Sequence, residues 1–199
     1  MECVQLTSIT TGFAGNLLGE AHSYAAQDVM KPNLVYLRPL KLAYVRAVGP
    51  YAQSSVEAWS RLFSWLSDNG LHTFPGCGYG LVLDNHLMTD GATCRYDACI
   101  ELNAAIESRA EGVLQSRKLP AGAYIRERHV GCYDALRERT LAVRERAVQK
   151  GELPVDTRRP LVQIFLDDPR REQADNLRSD LCIPVIAHPI LGSAEGSLN

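Results

Sequence analysis

Several features that would point directly to a function are missing from this sequence. No apolar run approaches the roughly 20 residues that a membrane-spanning helix needs, and no basic segment followed by a long apolar one indicates a secretory signal. Neither sign of charge dominates, because 21 Lys and Arg oppose 23 Asp and Glu. The sequence therefore favours a cytoplasmic protein without the basic surface of a nucleic-acid-binding chain.

Motifs of the common enzyme classes are also missing. There is no GxSxG, HExxH or GxxxxGK[ST], and no GxGxxG between a strand and a helix. The run GCGYG at residues 76–80 leads into a predicted strand, so we interpret it as a turn and not as a phosphate loop. The five histidines are scattered and the six cysteines have no CxxC spacing, so we expect neither a metal site nor a cofactor. We interpret the cysteines as reduced thiols, with Cys99 and Cys182 in the core.

The sequence does contain two similar halves. AYVR at residues 43–46 matches AYIR at 123–126 at an offset of 80, and the GxY turns at 49–51 and 131–133 match at an offset of 82. Leu-Asp at 83–84 matches 166–167, and RxDxCI at 95–100 matches 178–183, both at an offset of 83. These agreements keep the same order, which indicates an internal duplication.

Each half predicts two strands, a helix and two further strands. In the first half the strands lie at 35–37, 43–48, 79–84 and 95–102, and the helix follows SSVE at 54–57, a capping-box pattern. In the second half the strands lie at 113–116, 123–129, 161–166 and 181–186, and the helix at 134–149. We predict an α+β fold: a tandem ββαββ duplication with a pseudo-twofold axis, antiparallel sheets and helices on one face.

This duplication also sets the expected domain boundaries. The duplicated domain is predicted to span residues 34–190, with the first repeat at about 34–103 and the second at about 112–187. Residues 1–33 are interpreted as an N-terminal extension, too short for two helix-turn-helix units, and residues 191–199 as a C-terminal tail.

Candidate binding residues lie where the two halves would meet, since such a seam is a natural concave site. Trp59 lies early in the first helix, Tyr79 opens a strand, and Tyr133 follows the second GxY turn. Phe165 lies two residues after Gln163, on the same predicted strand face. The amide of Gln163 either faces this site or faces solvent, and the pattern alone favours neither.

Charged residues of the second half are predicted at the surface. The second helix carries arginines among glutamates, which is typical of a solvated helix face; the arginines are Arg137, Arg139, Arg144 and Arg146. Glu127 lies between Arg126 and Arg128 in a strand and is interpreted as part of a surface ladder of charges.

An ordered set of segments resembles the GyrI-like family, also known as AraC-type effector-binding domains. The segments are LAYVRAVGPY with EAWSRLFSWL, RYDACIEL, LPAGAYIRERHVGCY, QIFLDDP and LRSDLCIPV, and they span about residues 35–186. The resemblance implies a tandem ββαββ fold with a pocket between the halves for bulky, flat, often cationic hydrophobic compounds. It also implies a role in transcriptional regulation or in drug and toxin resistance.

The same resemblance implies a set of ligand-binding residues: Trp59, Tyr79, Tyr133, Gln163, Phe165 and Leu177. Gln163 stands where members commonly carry a buried Glu that is a counter-ion to cationic drugs and, in members that hydrolyse cyclopropane-bearing toxins, takes part in catalysis. Because an amide cannot ionise, Gln163 serves neither as an anion nor as a general base. Leu177 stands at a position that is often aromatic.

We therefore expect a stand-alone domain that binds a hydrophobic, aromatic small molecule, neutral or cationic, as a sensor or a sequestering protein. Two alternatives stay open: a protein-interaction regulator of the gyrase-inhibitor type, and a hydrolase of cyclopropane-bearing toxins, for which Glu127 and Glu101 are the nearest acidic residues. We expect no catalytic residue, no membrane contact and no direct nucleic-acid contact. A monomer and a homodimer both fit the sequence, as does a separate protein partner.

Overall fold

The computed structural model describes residues 33–71, 76–85, 88–110, 114–150 and 153–187. In these ranges the strands are β1 (Asn33–Leu37), β2 (Leu40–Val48), β3 (Gly78–Val82), β4 (Arg95–Glu101), β5 (Gln115–Leu119), β6 (Gly122–Val130), β7 (Leu161–Phe165) and β8 (Arg178–Pro184). The helices are α1 (Tyr51–Asp68), α2 (Ala104–Ala110) and α3 (Leu136–Lys150). The predicted α+β class is confirmed. The predicted N-terminal extension, except Asn33, and the predicted tail lie outside these ranges, and the domain boundaries stay predictions.

All eight strands form one antiparallel sheet, in the order β1-β6-β8-β7-β3-β4-β2-β5, which curls into a half-barrel. Strands β3 and β7 pair at its centre, and Gly80 lies directly opposite Gln163 in that pair. These two residues are also equivalent positions of the duplication, at its offset of 83 residues. The pseudo-twofold axis therefore passes between them.

The first strand of each half lies against the other half. Strand β1 pairs with β6, and strand β5 pairs with β2. The sequence predicted two units side by side and gave no sign of this exchange, because the hydrophobic pattern of a strand does not specify its partner. Each half of the sheet is thus completed by a strand from the other half.

Equivalent turns and ion pairs repeat in both halves. Gly49 and Gly131 adopt φ values of 141° and 126°, a region that side chains with a Cβ rarely enter. Their N–H groups each donate a 2.8 Å hydrogen bond to the backbone carbonyl of the residue before the last strand of the same half, Cys94 and Leu177 respectively. Two matching bidentate pairs, Arg95 with Asp84 and Arg178 with Asp167, close the loop before the last strand. These repeated contacts confirm the duplication.

The sheet carries a hydrophobic core on each face. Helix α1 buries Trp59, Leu62, Phe63 and Leu66 against one face. The second core, on the opposite face, comprises Leu42, Tyr79, Leu81, Cys99, Leu119, Tyr124, Val162 and Cys182. The helices therefore cover one face of the sheet, and the side chains of the other face pack against one another as the sheet curls into a half-barrel.

Helix α1 begins earlier than the capping-box pattern predicts. Its N-cap position is Pro50, and the first helical residue is Tyr51. Ser54 is buried and its hydroxyl donates to the carbonyl of Gly49 at 3.2 Å. The capping-box prediction is wrong because a proline, with no N–H to satisfy and a φ near that of a helix, already starts the helix at this turn.

Two further predictions need correction. The run at residues 76–80 is not a turn throughout, because Gly78 to Gly80 belong to β3. Cys77, Cys94, Cys99 and Cys182 are free, as expected, but Cys132 is disulfide-bonded, so a reduced thiol is wrong there. Among the described helices, none is both long and apolar enough to cross a bilayer.

Candidate ligand-binding site

A cavity of about 560 Å³ lies between α1 and α3, over the central strands of the sheet. Ligand pockets of proteins usually measure roughly 300–1,000 Å³. Both halves contribute to its wall: Tyr51 and Trp59 from the first, Thr140 and Gln163 from the second. The concave site expected at the seam is therefore present.

One wall of the cavity is aromatic. Trp59 and Tyr133 each meet the ring of Phe165 edge to face, with centroids 4.9 Å and 4.8 Å apart. The ring of Phe63 lies 5.5 Å from that of Trp59. Edge-to-face packing fixes the orientation of each ring. The cavity thus presents a rigid apolar surface suited to a flat ligand.

A chain of hydrogen bonds crosses the floor of the cavity. The indole Nε1 of Trp59 donates to the Tyr96 hydroxyl at 3.0 Å, and that hydroxyl donates to Oε1 of Gln163 at 2.9 Å. The Gln163 Nε2 donates to Oγ1 of Thr140 at 3.1 Å. Burial raises the pKa of Tyr96, which keeps its hydroxyl protonated. Gln163 is only 7% exposed, so the solvent-facing alternative is wrong.

This chain of hydrogen bonds has no symmetry-related copy, although it crosses the pseudo-twofold axis at Gln163. Its four members have equivalents of different chemistry, at offsets of 82 or 83 residues: Leu141 for Trp59, Ser179 for Tyr96, Gly80 for Gln163 and Ala58 for Thr140. A Cβ on Gly80 would lie 2.7 Å from Oε1 of Gln163, and closer still to the Tyr96 hydroxyl. Gly80 therefore makes the room that the amide and the phenol occupy.

The arginines of α3 do not form the solvated face that the sequence predicted. Arg139 and Arg146 reach the carboxylate of Glu127 at 3.2 Å and 2.7 Å. Arg144 is half-buried and lines the cavity, and burial lowers its pKa below the ordinary value. Arg137 alone of the four is exposed, at the cavity rim.

Glu127 is not part of a surface ladder. It is 1% exposed and lies beneath α3, because it shares the inward face of β6 with Ile125. The other nearby acid, Glu101, accepts a 2.5 Å hydrogen bond from the Tyr79 hydroxyl. Neither carboxylate belongs to the cavity wall, so neither is placed to act on a ligand there.

The structure brings together four of the six predicted ligand-binding residues. Trp59, Tyr133, Gln163 and Phe165 all line the cavity. Tyr79 lies on the other face of the sheet, in the second core. Leu177 is 3% exposed and is not part of the lining. The role of each in binding a ligand stays a prediction.

Several lining residues were missed at the sequence level, and the polar ones among them that bear most on the site are Tyr96, Thr140 and Arg144. Tyr96 alternates with Ala98 and Ile100, a period that places all three on the helix-covered face of β4. Thr140 and Arg144 are four residues apart on α3, beside the buried positions of that helix. Strand parity and helical spacing would have found them.

In the described ranges no group of His, Cys, Asp and Glu is arranged to hold a metal ion.

Solved structures with the same fold include ligand-bound and regulatory proteins. The chain is similar to SAV2435, solved bound to tetraphenylphosphonium, with 10% identity, a TM-score of 0.55 and coverage of 79% of this chain and 95% of that one. It is similar to the C-terminal domain of EcmrR, with 15% identity, a TM-score of 0.60 and coverage of 81% and 100%. A hydrolase from Listeria innocua is 15% identical, with a TM-score of 0.52 and coverage of 78% and 92%.

At these identities the similarities show the fold alone. The search of curated proteins found no match. The family model described as the GyrI-like small molecule binding domain matches residues 30–186, which include every element from β1 to β8. The chain therefore belongs to the GyrI-like family of small molecule binding domains.

Proposed function

We propose that the domain binds a hydrophobic, largely flat aromatic molecule in the cavity between α1 and α3, as a sensor or a sequestering protein. One observation carries this proposal: a cavity of about 560 Å³ whose wall combines packed aromatic rings with a buried polar chain. A protein-interaction regulator would need no such space, and a seam closed by side chains would have favoured it.

The rings of this wall are held before a ligand arrives. Trp59 is fixed by its hydrogen bond to Tyr96 and by its contact with Phe165. The single proton of the Tyr133 hydroxyl is shared between the carbonyl oxygens of Asp167 and Arg178, which lie 3.0 Å and 2.9 Å from the phenol oxygen. Because little side-chain freedom is left to lose, stacking of about 0.5–1.5 kcal/mol per ring contributes to affinity with little ordering cost.

The chemistry of the cavity supports binding without turnover. Its buried polar centre is the neutral amide of Gln163, and removal of a general base typically costs about 10²–10⁴-fold in rate. The carboxylate of Glu127 is occupied by two arginines beneath α3. We therefore propose a binding protein and not a hydrolase.

Tryptophan fluorescence tests the proposal directly. We expect planar dyes to quench the emission of the wild-type protein on titration, because Trp59 lies in the cavity wall. Trp59→Ala should abolish most of that change. Trp65→Phe is the matched control, since Trp65 is buried in the core outside the lining and its removal should leave the dye response in place. If a broad panel of planar dyes leaves the emission unchanged, the cavity does not bind such compounds.

A further inference from the structure

The side chain of Arg144 has an unusual position for an arginine of this protein. It lines the large cavity and also a smaller one of about 50 Å³ next to it. In the ranges that the structure describes, no carboxylate forms an ion pair with its guanidinium. Other half-buried arginines are paired, such as Arg46 with Asp97 and Arg128 with Asp180. Arg144 thus loses hydration without gaining a protein counter-ion.

The duplication shows that helix packing does not require a charge there. The equivalent position in α1, at the 82-residue offset that relates Tyr51 to Tyr133, is Leu62, which is fully buried. One half therefore fills this position with an apolar side chain, whereas the other half places a guanidinium at the cavity. Packing against the sheet explains Leu62 and does not explain Arg144.

The other charges around the cavity leave this guanidinium uncompensated inside it. Asp134 and Glu138 belong to the lining but are exposed at its rim, near the start of α3, as is Arg137. In the smaller cavity, Asp84 pairs with Arg95, and Asp156 pairs with Arg158 and Arg159. The interior polar group, Gln163, is neutral. Among the described residues that line the large cavity, a ligand anion would meet no buried carboxylate.

From this arrangement we infer that the cavity selects aromatic ligands that carry an anionic group, such as a carboxylate or a sulfonate, and that Arg144 binds that group. The inference rests on the proposed function and names its ligand class. The rings of Trp59 and Phe165 hold the flat part of the ligand, and the guanidinium supplies paired donors that match two oxygens of the anion. Desolvation makes this contact stronger than one with an exposed arginine.

Two dyes with the same rings separate the charge from the aromatic contact. 1-Anilinonaphthalene-8-sulfonate carries a sulfonate, and N-phenyl-1-naphthylamine lacks it. We expect the sulfonate to bind the wild-type protein about tenfold more tightly, the effect of one charged hydrogen-bonded contact. Arg144→Met should remove that preference, so that the two dyes bind the variant with similar affinities. Arg61→Met is the matched control: Arg61 is 58% exposed on α1 and does not line the cavity, so the preference should persist.

A second pair of probes needs no variant and covers the case in which Arg144→Met does not fold. Tetraphenylborate and tetraphenylphosphonium share size and shape but have opposite charges, and we expect the wild-type protein to bind the borate more tightly. Equal binding within both pairs of probes, with quenching that depends on Trp59, would overturn the role of Arg144 and leave the proposed function intact. If no probe gives quenching that depends on Trp59, the proposed function itself fails.

Discussion

The amide of Gln163 is bound by hydroxyl groups on both sides. Tyr96 donates to its oxygen, and Thr140 accepts from its nitrogen. Because a threonine hydroxyl can also donate, both neighbours could donate to a carboxylate at this position. A single-atom change from nitrogen to oxygen would therefore place an anion in the cavity without breaking the hydrogen-bond chain.

Gln163→Glu should increase the affinity for tetraphenylphosphonium about tenfold at neutral pH, because the new carboxylate attracts the cation in a desolvated site. The gain should disappear at acidic pH, when the carboxyl group becomes protonated. Titration of both proteins with this cation at several pH values measures the effect. Gln53→Glu makes the same chemical change at an exposed position outside the cavity and should give no gain. An equal gain in both variants would contradict the prediction.

The sequence predicted some residues of the site and missed others for identifiable reasons. Phe165 and Gln163 share a strand face with period two, and the helical spacing of Trp59 matches that of the buried residues of α1. Tyr79 was proposed because it opens a strand and through the family resemblance, neither of which specifies a face of the sheet, and its side chain lies in the second core. Arg144 was missed because an arginine among glutamates on a helix usually faces solvent.

The two long helices are attached to the sheet by different means. Helix α1 buries a row of large apolar side chains. Helix α3 buries only Leu136, Val143 and Ala147 as apolar residues, and two of its arginines pair with Glu127 of β6. Charge therefore contributes to the position of α3, the helix that carries Thr140 and Arg144 to the cavity.

Glu127→Gln should lower the free energy of unfolding by about 1–3 kcal/mol, because it removes charged hydrogen bonds at a buried site whose arginine partners are partly exposed. Denaturant unfolding measures the loss. Glu145→Gln, at an exposed position of the same helix, should stay within about 0.5 kcal/mol of the wild type. Equal stability of the two variants would refute this role of Glu127.

Wild-type turnover of a cyclopropane-bearing substrate that is lost in Glu127→Gln would refute binding without turnover.

Secondary structure was more predictable from the sequence than the connections between its elements. The strands predicted at 43–48 and 95–102 from their β-forming residues agree with β2 and β4 to within three residues at each end. The pairing of β1 with β6 could not be predicted, because a hydrophobic pattern does not specify a strand's partner. Strand β1 also lies at the edge of the sheet and buries none of its residues fully. Helix α2 was missed since it has only 7 residues and, among those whose burial is described, only Ile106 is a buried apolar residue.

The stability of the whole molecule should depend on pH through a buried histidine. His129 is 7% exposed, and burial lowers its pKa below the ordinary 6.5. Its ring Nε2 lies 3.3 Å from the carbonyl of Cys132. In the unfolded chain this imidazole takes up a proton as the pH falls through 6.5, whereas in the folded protein it stays neutral until a lower pH. The unfolded state therefore binds more protons in this window, and stability falls with falling pH.

His129→Gln should reduce the slope of unfolding free energy against pH just below 6.5, the ordinary pKa of the imidazole. Chemical denaturation at closely spaced pH values measures the slope. Asp156→Asn is a useful comparison: the Arg158 guanidinium holds the pKa of Asp156 below its ordinary 3.8, so this variant should alter only the more acidic limb. A full slope in His129→Gln would assign the pH dependence to other groups.

The position of Gly80 and Gln163 on the pseudo-twofold axis has an evolutionary consequence. An ancestral homodimer built from two copies of one half would carry the same residue at both places, glycine facing glycine or glutamine facing glutamine. The first arrangement has no amide, and the second has no room for two, since even a Cβ on Gly80 would collide with the Gln163 side chain. In the present chain the two halves are encoded separately, so that one position carries glycine and the other glutamine. A cavity with a single amide at its centre thus requires two halves that differ in sequence at this pair of positions.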